Sequence, residues 1–141
     1  MLSELSEETA LKILGKNKLA RLGCVLESGE PYIVPINYFL ESDAIYCHSF
    51  EGLKISALRA NPKACVEVDE IENLLEWKSV VAFGECEEIT DIAERRRIIK
   101  IFLDRFTKLT PAEAVRREAM QPGEVIQFRI DIRRVTGRAE S

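Results

Sequence analysis

The stretch Val34-Pro35-Ile36-Asn37-Tyr38, followed by Ile45-Tyr46-Cys47-His48-Ser49 and then Gly52-Leu53-Lys54, decides how this chain folds. It reads as strand, turn, strand and the first turn of a helix. Glu41-Ser42-Asp43 supply a polar hairpin connection. The helix opens at Gly52 and carries Lys54, Leu58 and Arg59 until Asn61-Pro62 stops it, because proline cannot continue the helical hydrogen-bond ladder. Lys54 is out of place there. A helix N-terminus carries partial positive charge, so a cation in the first turn is disfavoured. An anion seated between the helix end and Lys54 removes the conflict, and Ser49 and His48, at the end of the preceding strand, add donors to it. Singly, these residues have ordinary readings: a solvated lysine, a packing histidine, a turn serine. As a unit, His48-Ser49-x-x-Gly52-x-Lys54 brings an imidazole, a hydroxyl, backbone N–H groups and an ammonium towards one point.

Working outward, Tyr32, Val34, Ile36, Tyr38 and Leu40 alternate with Ile33, Pro35, Asn37 and Phe39. Both faces of this strand are largely apolar, so both should be covered. A barrel core covers one; a partner subunit or a bound planar ring covers the other. Pro35 lacks an amide donor and fits an edge or a bulge. Asn37 is the polar exception, either a satisfied buried amide or a contact to a ligand. Further strands are expected at Lys18–Leu26, around Ala64–Asp69, at Trp77–Ile89 and over Ile126–Arg133, where Ile126, Phe128, Ile130 and Ile132 alternate with polar residues. Gly84 inside the long Trp77–Ile89 strand suggests a bulge that helps close a barrel. Trp77 reads as a core or interface residue, with a stacking partner for a ligand as the other option.

Three helices flank these strands. Ser6 caps the first, which Gly15 should close. Asp91 caps the second, through about Phe106, with Ile99, Phe102, Leu103 and Phe106 as its buried stripe. Thr110-Pro111 opens a third through Met120. Arg95-Arg96-Arg97 points three ways around its helix, which is a solvated arrangement rather than a nucleic-acid stripe. The periodicity as a whole describes a small antiparallel barrel with helices at its periphery.

The 141 residues, 46% hydrophobic and 31% charged, suit one domain with its own core. A net charge of −4 argues against nucleic acid as a partner. No apolar run approaches membrane length, and the first residues are acidic rather than signal-like. Cys24, Cys47, Cys65 and Cys86 lie far apart with a single histidine in the chain, so no metal site and reduced, cytoplasmic thiols are expected. Dinucleotide-fold, P-loop and serine-hydrolase motifs are absent. A chain so poor in catalytic side chains suits a bound cofactor that does the redox chemistry itself.

The segments Pro35-Ile36-Asn37-Tyr38, Ile45-Tyr46-Cys47-His48-Ser49, Gly52-Leu53-Lys54 and Leu58-Arg59-Ala60-Asn61-Pro62 resemble the FMN-binding split-barrel family, which includes pyridoxamine 5'-phosphate oxidase. The HS-x-x-G-x-K spacing is most similar to its nitroimidazole-resistance group, and the resemblance runs from about Leu19 to Gly137. It implies a mainly β fold, a six-stranded antiparallel split barrel with flanking helices, as one domain over residues 1–141. It implies FMN as cofactor. Lys54 and Ser49 would hold the phosphate with His48 nearby. Pro35, Ile36, Asn37 and Tyr38 would line the ring and ribityl chain, with Ser79, Val80 and Val81 on another side. No side chain is assigned a catalytic role. Relatives are homodimers with FMN in the interface, so a homodimer is expected. The expected activity is flavin-dependent reduction of small electron-poor molecules such as nitroimidazoles or nitroaromatics, with a nicotinamide nucleotide as electron donor. Pyridoxamine 5'-phosphate oxidation is disfavoured, because that subgroup's basic substrate-phosphate cluster is missing. Two other classes stay open: a carrier or redox sensor holding flavin, deazaflavin or haem, the last with His48 as ligand, and an oligonucleotide-binding barrel.

Overall fold

The structure, a computed structural model, describes residues 1–106 and 125–141. The elements run β1 (Leu2–Glu4), α1 (Glu7–Lys16), β2 (Leu19–Val25), β3 (Pro31–Glu41), β4 (Ala44–Ser49), α2 (Leu53–Ala60), β5 (Lys63–Asn73), β6 (Glu76–Glu88), α3 (Ile92–Arg105) and β7 (Ile126–Glu140). The helix expected after Thr110-Pro111 lies outside the described residues. All strand pairs are antiparallel, in the order β1-β7-β4-β3-β2-β5-β6, and β6 returns to pair with β7. Strands β2 to β7 therefore close a six-stranded ring, which leaves little sheet edge open to edge-to-edge pairing. The fold is mainly β, as the sequence implied. A seventh strand, β1, was not foreseen. It is three residues long, too short for a periodic signal, and pairs Leu2, Ser3 and Glu4 with Glu140, Ala139 and Arg138 of β7.

The ring is split along β3. That strand pairs with β2 through Pro31–Asn37 but with β4 only through Tyr38–Glu41. Pro35 sits in the half with a partner on one side, where a missing amide donor breaks no ladder. Closure comes from Gly84. The β6–β7 register shifts between Phe83 and Gly84, and a Cβ at Gly84 would lie 2.1 Å from the Asp131 carbonyl oxygen. Only glycine lets the two backbones approach that closely.

Alternation then sorts the side chains. Ala20, Leu22, Ile36, Tyr38, Ile45, Cys47, Val66, Val68, Val80, Ala82, Phe128 and Ile130 fill the barrel, with Ala10, Ile13 and Leu14 of α1 over one end and Ile55 and Leu58 of α2 packed on it as well. The Tyr38 hydroxyl donates to the Leu14 carbonyl and ties α1 to β3. Ser6 caps α1 by accepting from the Thr9 amide at 3.1 Å. The helix runs past Gly15, contrary to expectation, and ends at Lys16. Asn17 ends it instead, its side-chain amide donating to the Ile13 carbonyl at 2.8 Å.

Helix α3 covers the outside of β3 and β4. Asp91 caps it, accepting from the Glu94 amide at 3.0 Å. Its buried stripe is Ile98 and Phe102, joined by Ile101 and Phe106; Ile99 is exposed and Leu103 only half-buried. The stripe is rotated from the expected one because Arg95 belongs to the covered side. Its guanidinium donates to the carbonyls of Ile89 and Val125 at 3.2 and 2.8 Å. Arg97 pairs with Glu41 and Glu94, so only Arg96 fits the solvated reading without such contacts. Beneath α3, Gln127 is buried, not polar surface as alternation suggested, and it donates to the Arg95 carbonyl at 3.1 Å.

Candidate functional site

Pairing places side chains of opposed residues on one face. Pro35 opposes Arg21, Arg21 opposes Glu67, Glu67 opposes Val81 and Val81 opposes Thr136. These residues form one row across the outside of the barrel. Asn37 and Leu19 lie in a row to one side of it, with Ser79 and Asp69 opposed in the same face. Ile33, Gly23, Cys65 and Phe83 lie on the other side. Helix α3 covers the Phe39 end of this face, where Phe39 and Tyr46 stack at 4.9 Å and Phe102 meets Phe39 edge-on. The remainder is open: Ile33 is 71% exposed, and Pro35 and Asn37 are exposed beside it. Within the single chain, Asn37 is exposed and is not a buried amide.

The expected site residues divide in two. Pro35, Asn37, Ser79 and Val81 share the open face. Ile36, Tyr38 and Val80 do not: their side chains point into the barrel and are at most 5% exposed. The strand period of two forces this, since neighbours of an outward residue must point inward. Only their backbone groups can serve a ligand on the outer face. Ser79 is already engaged, its hydroxyl donating to Glu67 at 2.9 Å. Partial burial, set against that hydrogen bond, pushes the Glu67 carboxyl above its ordinary range. Arg21 lies 3.7 Å from Asp69. The sequence reading missed Arg21, Glu67 and Asp69. Their signal was charged residues at alternate positions of strands β2 and β5, whose inward positions are apolar.

His48 is also on the outer side. It opposes Gln127 of β7 and meets Phe102 of α3 edge-to-face, ring centres 4.4 Å apart. Phe102 of α3 thus packs on the imidazole, a contact only the folded chain reveals. Ser49 ends β4, and its hydroxyl donates to the Phe50 carbonyl at 2.9 Å. Three residues later α2 begins without a side-chain cap, at Gly52, and with no acidic residue in its first turn. Its leading amides are therefore donors without an intrahelical partner. Lys54, half-buried, stands in that first turn. Its charge reaches Cys24 and Cys47, opposing the burial that raises both thiols. Among the described residues no carboxylate pairs with it. Among the described residues, the start of α2 thus presents the Lys54 ammonium and the leading amides with no carboxylate paired to them. The outer face mixes exposed Ile33, Pro35 and Asn37 with the polar side chains of Arg21, Glu67, Asp69 and Ser79. The donor set at the start of α2 fits an anionic group such as a phosphate.

Among the described residues no cluster of His, Cys, Asp and Glu is arranged for a metal, and no helix is long and apolar enough to cross a membrane.

The sequence profile of pyridoxamine 5'-phosphate oxidase matches residues 6–139. The chain belongs to the pyridoxamine 5'-phosphate oxidase family. A FAD-binding protein of Mesorhizobium loti is 31% identical to this family member, with a TM-score of 0.81 over 100% of this chain and 99% of that one. A candidate 5-nitroimidazole antibiotic resistance protein of Bacteroides thetaiotaomicron shares the fold with a TM-score of 0.75 at 24% identity, over 100% and 92% of the two chains. An uncharacterised protein of Rhizobium meliloti is 38% identical over 85 residues, 60% of this chain. The match spans only 56% of that curated relative's length. The family match extends beyond the resembling segment at both ends, taking in α1 and nearly all of β7.

Proposed function

We propose that this family member is a flavin-nucleotide-binding oxidoreductase that acts as a homodimer on small electron-poor substrates such as nitroimidazoles or nitroaromatics. The observation that carries it is the start of α2: an uncapped helix end, without acidic residues, bearing Lys54. A terminal phosphate resolves that arrangement, because the helix dipole and the ammonium both favour it. The family match and the FAD-binding relative support flavin as the rest of the molecule. FMN, whose phosphate is terminal, is the flavin this reading favours.

Lys54, the first amides of α2 and His48 would hold the phosphate. Pro35, Asn37 and Val81 would bear on the body of the cofactor from the open face, with backbone groups of Ile36 and Tyr38 in reach of its polar edge. When bound, the flavin supplies the redox chemistry, taking up a hydride and passing electrons on. The chain's own residues position and desolvate. Ile33 and Pro35 present an apolar floor, and the same exposed face offers a second subunit the surface it would cover. Ser79 and Glu67 set a polar contact at the far side, where the partly desolvated carboxyl is readier than usual to hold a proton. No side chain is needed as nucleophile or metal ligand. A nicotinamide nucleotide would deliver the hydride.

The test is steady-state oxidation of a nicotinamide nucleotide by the FMN-loaded protein with and without a nitroaromatic acceptor. Acceptor-dependent turnover supports the enzyme reading. Flavin binding without turnover leaves a carrier and refutes it.

A further inference from the structure

Glu51 stands directly before the uncapped start of α2, yet its carboxylate is not there. It is turned back along the helix to Arg59, whose Nη1 donates to both Glu51 oxygens at 2.8 and 3.0 Å. Arg59 lies seven residues beyond Gly52, about 10 Å further along the axis. Its Nε holds Glu88 at the end of β6 at 2.9 Å, so the guanidinium is anchored to the barrel as well as to the loop. The two carboxylates, Glu88 before Glu51, keep that guanidinium more firmly protonated than an ordinary arginine.

The alternative position of Glu51 is chemically attractive. A carboxylate one residue before an N-cap can turn onto the leading amides, and the helix dipole and Lys54 would both welcome it. It would then occupy the place an anionic ligand needs. We infer that Arg59 is a positioning residue that withdraws Glu51 from the mouth of α2 and so keeps the phosphate cradle vacant for its ligand. Arg59 touches no ligand in this role. It acts by denying the cradle to the protein's own carboxylate. The inference rests on the phosphate-cradle reading proposed above.

The experiment compares wild type, Arg59→Gln, Glu51→Gln and the double variant. Each is titrated with FMN and with riboflavin, which lacks the phosphate, and its thermal midpoint is recorded. Arg59→Gln should raise the FMN dissociation constant about two- to fivefold, the scale of a charge gained or lost at a helix N-terminus. Riboflavin affinity should not change, which a merely structural loss would not spare. Glu51→Gln should bind FMN as tightly as wild type or more so, and the double variant should match it. An Arg59→Gln protein with wild-type FMN affinity overturns the inference. So does a double variant as weak as Arg59→Gln, because Glu51 would then not be the competitor. A wild-type protein that binds neither flavin overturns the cradle reading itself, a result distinct from the other two.

Discussion

Replacing Lys54 with alanine separates a site residue from a structural one, because the two roles predict opposite signs. Lys54 has no ion-pair partner among the described residues, and its side chain is half-buried in the first turn of an uncapped helix. Removing it breaks no ion pair among the described residues. It also removes a cation from the positive end of a dipole, a relief of about 0.3–1 kcal/mol. The apo variant should therefore melt at the wild-type temperature or slightly above it. The ligand should respond the other way. A hydrogen bond between charged partners contributes about 1.5–3 kcal/mol, which corresponds to roughly 12- to 160-fold in the dissociation constant. The loss should shrink as salt rises, because a half-exposed charge is screened. The assay is quenching of FMN fluorescence on titration with apo protein at two ionic strengths, with a thermal melt of each sample. Unchanged FMN affinity would refute the assignment of Lys54. A large fall in apo stability would show instead that the lysine holds the fold together.

Tyr38→Phe should destabilise the protein by about 1–2 kcal/mol by leaving the Leu14 carbonyl without its donor, while FMN affinity stays unchanged; chemical denaturation and a flavin titration measure the two. Gly84→Ala should cost about 2–4 kcal/mol, since the new methyl meets the Asp131 carbonyl and the β6–β7 bulge must open; a drop in thermal midpoint checks it. Glu67 has a raised carboxyl pKa in the folded chain, so its contribution to stability is most favourable below the unfolded value and is lost as pH rises through the folded one. Glu67→Gln should therefore melt higher than wild type near pH 7.5, with the gap narrowing as pH falls and closing below about pH 4. Serine at any one of the four cysteines should leave flavin content intact, read from the visible absorbance of each purified variant; loss in more than one would show that the thiols belong to the site.

The barrel was legible because its strands announce themselves twice, by alternation and by special residues. Gly84 marked the closing bulge and Pro35 the half-paired stretch of β3, and each does so through one missing atom group that no other residue lacks. Asp91 and Ser6 marked helix starts because caps are local chemistry. What escaped was set by distant packing. The face of α3 depends on Arg95 reaching Ile89 and Val125, which no helical period reports. Gln127 looked like surface because nothing near it in sequence says that α3 lies above it. The candidate site was half visible for a similar reason. A motif names neighbours in sequence, and neighbours on a strand face opposite ways, so Ile36, Tyr38 and Val80 came along with Pro35, Asn37, Ser79 and Val81. Arg21 and Glu67 reach the same face from other strands and were not seen. The Glu51–Arg59 pair spans a whole helix and needed coordinates.

The account stands on flavin nucleotide binding at the mouth of α2. The most direct measurement is the visible spectrum of the apo protein after incubation with excess FMN and removal of free ligand by gel filtration. The account predicts a yellow protein carrying about one flavin per chain. A colourless protein would contradict it, and a Soret band in the untreated protein would point to haem in its place.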